Sequence, residues 1–310
     1  MNTRVVEATL PSAPDLAGLE PIEKIRRRWP MVLGGALTIL MVAGLARELF
    51  GDGLGALTRH VPANPLFYIA FALYYLGPPT FDFVIFRKLW QIPMAGMAAL
   101  HKKRISNEVL LGYSGEAYFY AWARQRTQMV AAPFGAVKDV MILSAIAGNA
   151  ITLALIGLAL VFSPSKLTLF QQNAQFGLWG SVAVIVAMSL PFLLFSKRVF
   201  SLPRNELWWV FGVHCLRLVS GSFLIALAWH FALPDVSLGT WLFLAALRML
   251  ASRLPFVPNK DLLFANFAII LIGRGDALSE LVAFTAALTL LVHITLIGAF
   301  GLHALMRKQA

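Results

Sequence analysis

The chain has 310 residues, of which 59% are hydrophobic and only 13% charged, and it carries a net charge of +11. So little polar surface excludes an ordinary water-soluble globule. The basic excess raises nucleic-acid binding, but the cations sit beside apolar runs, so we read them as setting membrane topology and expect no nucleic-acid partner.

Residues 1–30 contain Glu7, Asp15, Glu20, Glu23 and several prolines ahead of Arg26, Arg27 and Arg28. A cleaved signal peptide would place its basic region directly before an apolar stretch, so we expect a cytoplasmic N-terminal tail and a retained first span. From 31 to 310 the expectation is an all-α, polytopic transmembrane domain. Apolar runs fall at roughly 31–50, 65–86, 140–162, 176–195, 207–233 and 281–304, each near the ~20 residues that cross a bilayer. With two shorter broken segments they predict about 6–8 membrane helices. Three basic clusters fall on one side of this arrangement: Arg26 to Arg28, then Arg87, Lys88, Lys102, Lys103 and Arg104, then Lys197, Arg198 and Arg204. That side is cytoplasmic by the positive-inside rule, which suits a bacterial inner-membrane protein with a cytoplasmic N-terminus.

The first broken segment, 106–122, is polar and glycine-interrupted at its centre, with Lys103 and Arg104 before it and Arg124 and Arg126 after it. Flanking charges of one kind predict a segment that dips into the membrane and returns, and its backbone then needs cover from protein or a water-filled cavity. The second, 238–273, is broken by Pro255 and Pro258. If it enters and leaves from the outer side, Arg307 and Lys308 finish in the cytoplasm, and we expect that topology over the reverse. Each broken segment precedes a long span, which suggests a degenerate internal repeat and a binding site near the midplane.

His214 and Arg217 lie three apart and share a helical face, while Arg248 and Arg253 fall in the second broken segment. A central arginine costs about 2.5–3.5 kcal/mol on insertion, so each needs a partner, and Asp82, Glu116, Asp139 and Asp261 are the carboxylates available. Guanidinium forks match phosphate. Arg217, Arg248, Arg253 and His214 are therefore candidate headgroup ligands, with Glu116 and Asp139 balancing charge and Tyr118 and Lys260 beside them. No proton relay is evident, although burial of a carboxylate such as Glu116 would favour proton coupling. Cys215 alone excludes an internal disulfide and a cysteine metal cluster, and the other histidines show no ligand spacing, so no metal or cofactor is expected. Gly112-Tyr113-Ser114-Gly115 matches the G-x-S-G of rhomboid-type intramembrane proteases, which would require Ser114 within hydrogen-bond reach of a base such as His293.

Asn107 followed by Gly115-Glu116, Lys138-Asp139 at the head of a span, Leu254-Pro255-Phe256-Val257-Pro258, and Gly273 before an apolar helix together resemble the integral membrane region of lysylphosphatidylglycerol synthetases and their stand-alone flippase-like relatives. The resemblance covers most of 90–304. It departs at Asn259, Lys260 and Asp261, at Ala265 in a glutamate-like position, and near His293, where an arginine is expected. It implies helical spans with two re-entrant segments and a role in lipid translocation or headgroup binding. The aminoacyl-transferase domain of full-length synthetases has no counterpart here, so catalysis is not expected.

The resulting expectation is flippase-like movement of a phosphate-bearing lipid, with membrane lipids as partners and a homo-oligomer or a partner membrane enzyme left open. A transporter for a soluble organic anion, a non-transporting anchor for a partner enzyme and an intramembrane serine protease are the competing readings.

Overall fold

The computed structural model describes residues 61–109, 114–126, 133–162, 200–253 and 275–309, with single positions at 55, 58, 183 and 186. These described residues form seven helices and no strand. In chain order they are α1 (Pro65–Trp90), α2 (Ala95–Val109), α3 (Ser114–Arg126), α4 (Pro133–Phe162), α5 (Arg204–Ala232), α6 (Leu238–Arg253) and α7 (Gly275–Gln309). Pro65–Trp90, Gly135–Leu158, Arg204–Ala232 and Glu280–Leu302 are long and apolar enough to cross a membrane. The apolar run at 31–50 and the break at 254–273 lie outside the described residues, as does the run at 176–195 apart from positions 183 and 186.

Local chemistry sets the limits of α1. Asn64 caps its start by accepting a hydrogen bond from the Leu66 N–H at 3.0 Å, and Pro65 follows at a position where no N–H is needed. Gln91 ends it in the left-handed region, φ 51°, where its N–H reaches the Arg87 carbonyl at 2.8 Å. Inside the helix, Pro78 and Pro79 remove two N–H donors from the ladder. The carbonyls of Tyr74 and Tyr75, four residues back, are left to find other partners.

Two apolar clusters define the two ends of the bundle. One gathers Phe67 and Phe71 from the start of α1, Trp229 from the end of α5, Trp241 from α6, and Leu278 and Phe284 from the start of α7. The other gathers Phe86 from the end of α1, Leu100 from α2, Phe119 from α3, Val140 from α4 and Val210 from the start of α5. Thus α1 and α7 run in one direction, and α4 and α5 in the other. Apolar side chains also face outward along the spans, Ile69, Leu73 and Leu76 on α1 and Leu216, Val219 and Phe223 on α5. Lipid is as apolar as these side chains, so helix association there relies on close packing and buried polar links more than on hydrophobic transfer.

The described residues of 106–122 are the end of α2 and the first part of α3, two helices that pack against each other. α2 starts beside the end of α1 and reaches inward until Arg104 lies over the Tyr75 ring and Glu108 meets His293 of α7. α3 returns to the same end, where Phe119 packs on Phe86 and Trp90. The arms are clasped by Asn107, which accepts from the Gly115 N–H at 2.7 Å, and by Ser106 and Ser114, whose hydroxyls lie 2.7 Å apart. A Cβ on residue 115 would sit 2.0 Å from the Lys103 carbonyl oxygen, so this crossing demands glycine. α6 approaches from the opposite end, starting beside the end of α5.

Candidate functional site: two polar cavities sharing a wall

Asp82 of α1 is buried at the centre of the first polar cluster. One carboxylate oxygen accepts from Lys103 of α2 at 2.7 Å, and the other accepts from Arg217 of α5 at 3.1 Å. Arg217 also donates to Ser144 of α4 at 2.8 Å, and Lys103 lies 3.6 Å from Glu116 of α3. Five helices therefore contribute to one ionic network. Among the described residues its cavity, of about 280 Å³, is lined by three cations, Lys103, Arg104 and Arg217, and three carboxylates, Asp82, Glu108 and Glu116. Two of its polar groups lack good bonds. Among the described residues Glu116 Oε2 has no hydrogen-bond partner, and neither ring nitrogen of His214 completes a hydrogen bond of good geometry, although the Val140 backbone lies beside the ring.

The second cavity, of about 360 Å³, lies between α1, α2, α5, α6 and α7 and shares only Arg104 and Glu108 with the first. Its other polar lining is Tyr74, Arg248, Thr285, Thr289 and His293, set among apolar groups such as Trp229 and Leu290. Arg248 donates to the Tyr74 hydroxyl at 3.0 Å. The described surface reaches the two cavities at exposed Ala145 and Ala286 respectively.

The wall between the cavities is a hydrogen-bonded chain. Arg104 Nε donates to Glu108 at 2.7 Å, and the other Glu108 oxygen lies 2.8 Å from His293 Nε2. The Tyr75 hydroxyl lies 2.5 Å from His293 Nδ1. Arg104 also donates to the Tyr75 carbonyl, the acceptor that Pro79 leaves without its helical N–H. The Glu108 side chain keeps 42% of its surface exposed; what burial it has works to raise its carboxyl, but Arg104 and His293 outweigh it and hold it down to about 2. Burial works against the Arg104 charge, yet Glu108 and the tyrosines keep its affinity for the proton raised. His101, stacked beside Tyr75, is pulled down to about 4 by burial, with Arg104 and His293 adding to it, so it is neutral near pH 7.

The residues singled out from sequence scatter across this arrangement. Arg217, His214 and Glu116 line the first cavity, whereas Arg248 lines the second, so the two arginines do not share one chamber. Asp139 lines neither: fully buried, it accepts from the Ser201 and Leu202 N–H groups at 2.6 and 2.8 Å and pins the chain entering α5. Tyr118 packs beside the apolar cluster of Phe86 and Phe119. The Arg253 side chain and all of Lys260 and Asp261 lie outside the described residues. Ser114 is bonded to Ser106, and His293 is bonded to Tyr75 and Glu108, so no Ser114–His293 pair forms. Sequence reading missed Tyr75 and Glu108 altogether and assigned Lys103 and Arg104 to the cytoplasmic flank, yet their side chains are only 12% and 10% exposed.

Compared with protein families, curated proteins and solved structures, the chain matches none.

Proposed function

We propose that this protein binds a phosphate-bearing lipid headgroup in the first cavity and moves it between membrane leaflets. The observation that carries the reading is the ionic network of Asp82, Lys103, Arg217 and Glu116, enclosed by helices of which three have spanning length. Ionisable groups at such depth are costly, and they persist where they line a substrate path. In this reading α2 and α3 form a re-entrant hairpin entering from the cytoplasmic end, and 238–273 enters from the outer end. The flippase-like resemblance of the sequence belongs to the same proposal.

The charge balance suggests how a headgroup enters. Among the described residues the cavity's Lys103 and Arg217 are already paired with Asp82, and Lys103 also with Glu116, so an incoming phosphate takes a cation from its present partner. Glu116 is the partner that yields, because its 3.6 Å separation from Lys103 is longer than the 2.7 Å bond from Lys103 to Asp82. Lys103 then serves the phosphate while Asp82 keeps Arg217 in place.

Reconstitution into vesicles containing a fluorescent phospholipid, with dithionite quenching of the outer leaflet, tests this. Wild type is expected to expose inner-leaflet lipid, and Lys103→Gln to slow that exposure about tenfold, equivalent to ~1.4 kcal/mol. Exposure no faster than in protein-free vesicles would overturn the proposal.

A further inference from the structure

The chain Tyr75–His293–Glu108–Arg104 is not needed to hold a headgroup in the first cavity, and its bonds have a definite polarity. They fit one neutral tautomer of His293: Nε2–H donates to Glu108, and Nδ1 accepts from the Tyr75 hydroxyl. Among the described residues that hydroxyl bonds only His293, and Tyr75 is 2% exposed. A second proton on the ring must sit on Nδ1. Nδ1–H then donates to the Tyr75 oxygen, and the tyrosine O–H has to turn toward another acceptor. One proton thus changes the direction of a buried hydrogen bond.

The same proton changes the electrostatics of the wall. The groups facing His293 are Tyr74 and Tyr75 from α1, His101, Arg104 and Glu108 from α2, and Arg248 from α6 across the second cavity, while α5 offers that cavity only Ile225 and Trp229. An imidazolium attracts Glu108 more strongly and repels Arg104 and Arg248. Glu108 bonds Arg104 through one oxygen and His293 through the other, so tightening the second bond weakens the hold on the first. A polar row leads to the ring: Thr285, Thr289 and His293 are spaced four apart on α7, and all three line the second cavity.

We propose that His293 is a proton-binding site, supplied from the second cavity, whose protonation reverses its bond to Tyr75 and loosens the Arg104–Glu108 wall between the two cavities. The proton enters by binding to Nδ1 and leaves by the same row, with no covalent step. Histidine suits this role because its ring can hold one proton or two, unlike the permanently charged guanidinium groups around it. The proton site stands on the geometry alone, whereas its use in transport rests on the lipid reading above.

Nitrogen-15 histidine NMR of the full chain in nanodiscs is the first test, with His293 resonances identified by their loss in His293→Gln. On acidification over the range in which the protein stays folded they are expected to pass from the Nε2–H pattern to the doubly protonated pattern, and Tyr75→Phe is expected to shift that change. An unchanged protonation state across the range, or a titration indifferent to Tyr75→Phe, would overturn the proposal. If His293→Gln does not fold, Glu108→Gln supplies the assignment through its effect on the same ring.

The vesicle assay then separates the two ideas. One-proton coupling makes the translocation rate change by up to about tenfold per pH unit, a dependence that Tyr75→Phe is expected to flatten. Equal pH dependence in wild type and Tyr75→Phe would overturn the proton coupling while leaving headgroup movement standing. Absence of movement at every pH would remove the lipid reading, and the NMR titration would still decide the proton site.

Discussion

The two cavities share Arg104 and Glu108 but are built on different principles. Among the described residues of the first, three cations face three carboxylates, and Asp82 ties α1 to both α2 and α5. The described lining of the second is mostly hydroxyls, aromatic rings and aliphatic groups, with Arg104, Glu108 and Arg248 as its charged members and His293 beside them. A network of fixed ions holds helices together and exchanges partners only when a charged ligand replaces one of them. A chain running through tyrosine and histidine changes state with a single proton. The two proposals thus set a ligand-responsive chamber against a proton-responsive one, with Arg104 and Glu108 of α2 between them.

This contrast sets the largest expected effect. Asp82→Ala leaves Lys103 and Arg217 without their common carboxylate, and breaking a buried ion pair from one side costs about 3–5 kcal/mol. A large drop in thermal stability in detergent is therefore expected. If Asp82→Ala melts with wild type, the network is not structural and the first cavity loses its distinctive character.

Asp139→Ala should have a smaller effect of a different kind. It removes a charged acceptor from two backbone N–H groups outside both cavities, at about 1.5–3 kcal/mol, and its cost falls on stability. Thermal unfolding compared with translocation per folded molecule checks this. A translocation defect as large as that of Lys103→Gln in the folded fraction would return Asp139 to the headgroup site.

The smallest effect concerns pH. His101 has its folded-state affinity for protons lowered to about 4 from the ordinary histidine value near 6.5, so the unfolded chain binds a proton first as pH falls. Its contribution is complete above about pH 6.5 and is lost progressively as pH falls toward 4. His101→Phe keeps a ring between Tyr75 and Phe300 and is expected to reduce the acid-induced fall in melting temperature. An unchanged pH profile would show that the loss arises elsewhere.

Much of the scaffold was legible in the sequence because apolar length is a direct consequence of bilayer thickness. The runs at 65–86, 140–162, 207–233 and 281–304 match four span-length helices. The charge pattern also marked 106–122 as unusual. The site itself was less legible, because the positive-inside rule reads position along the chain and cannot see a helix turn back into the bundle. Lys103 and Arg104 follow α1 as flanking cations should, yet the hairpin carries them inward to Asp82 and Tyr75. Pro78-Pro79 was a usable signal: two missing N–H donors inside a span announce a carbonyl in need of a partner. His293 was weighed as a catalytic base for Ser114. Its bonds to Tyr75 and Glu108, 218 and 185 residues away in sequence, come from helix packing that no local pattern encodes.

The most direct measurement of the central claim is photo-crosslinking in vesicles with a phospholipid carrying a diazirine in its headgroup, followed by peptide mapping. The account predicts adducts on the first-cavity lining, centred on Lys103, Glu116 and His214, and their loss when unlabelled phospholipid competes. Adducts confined to the outward faces of α1 and α5, or unchanged by competition, would contradict a headgroup site inside the protein.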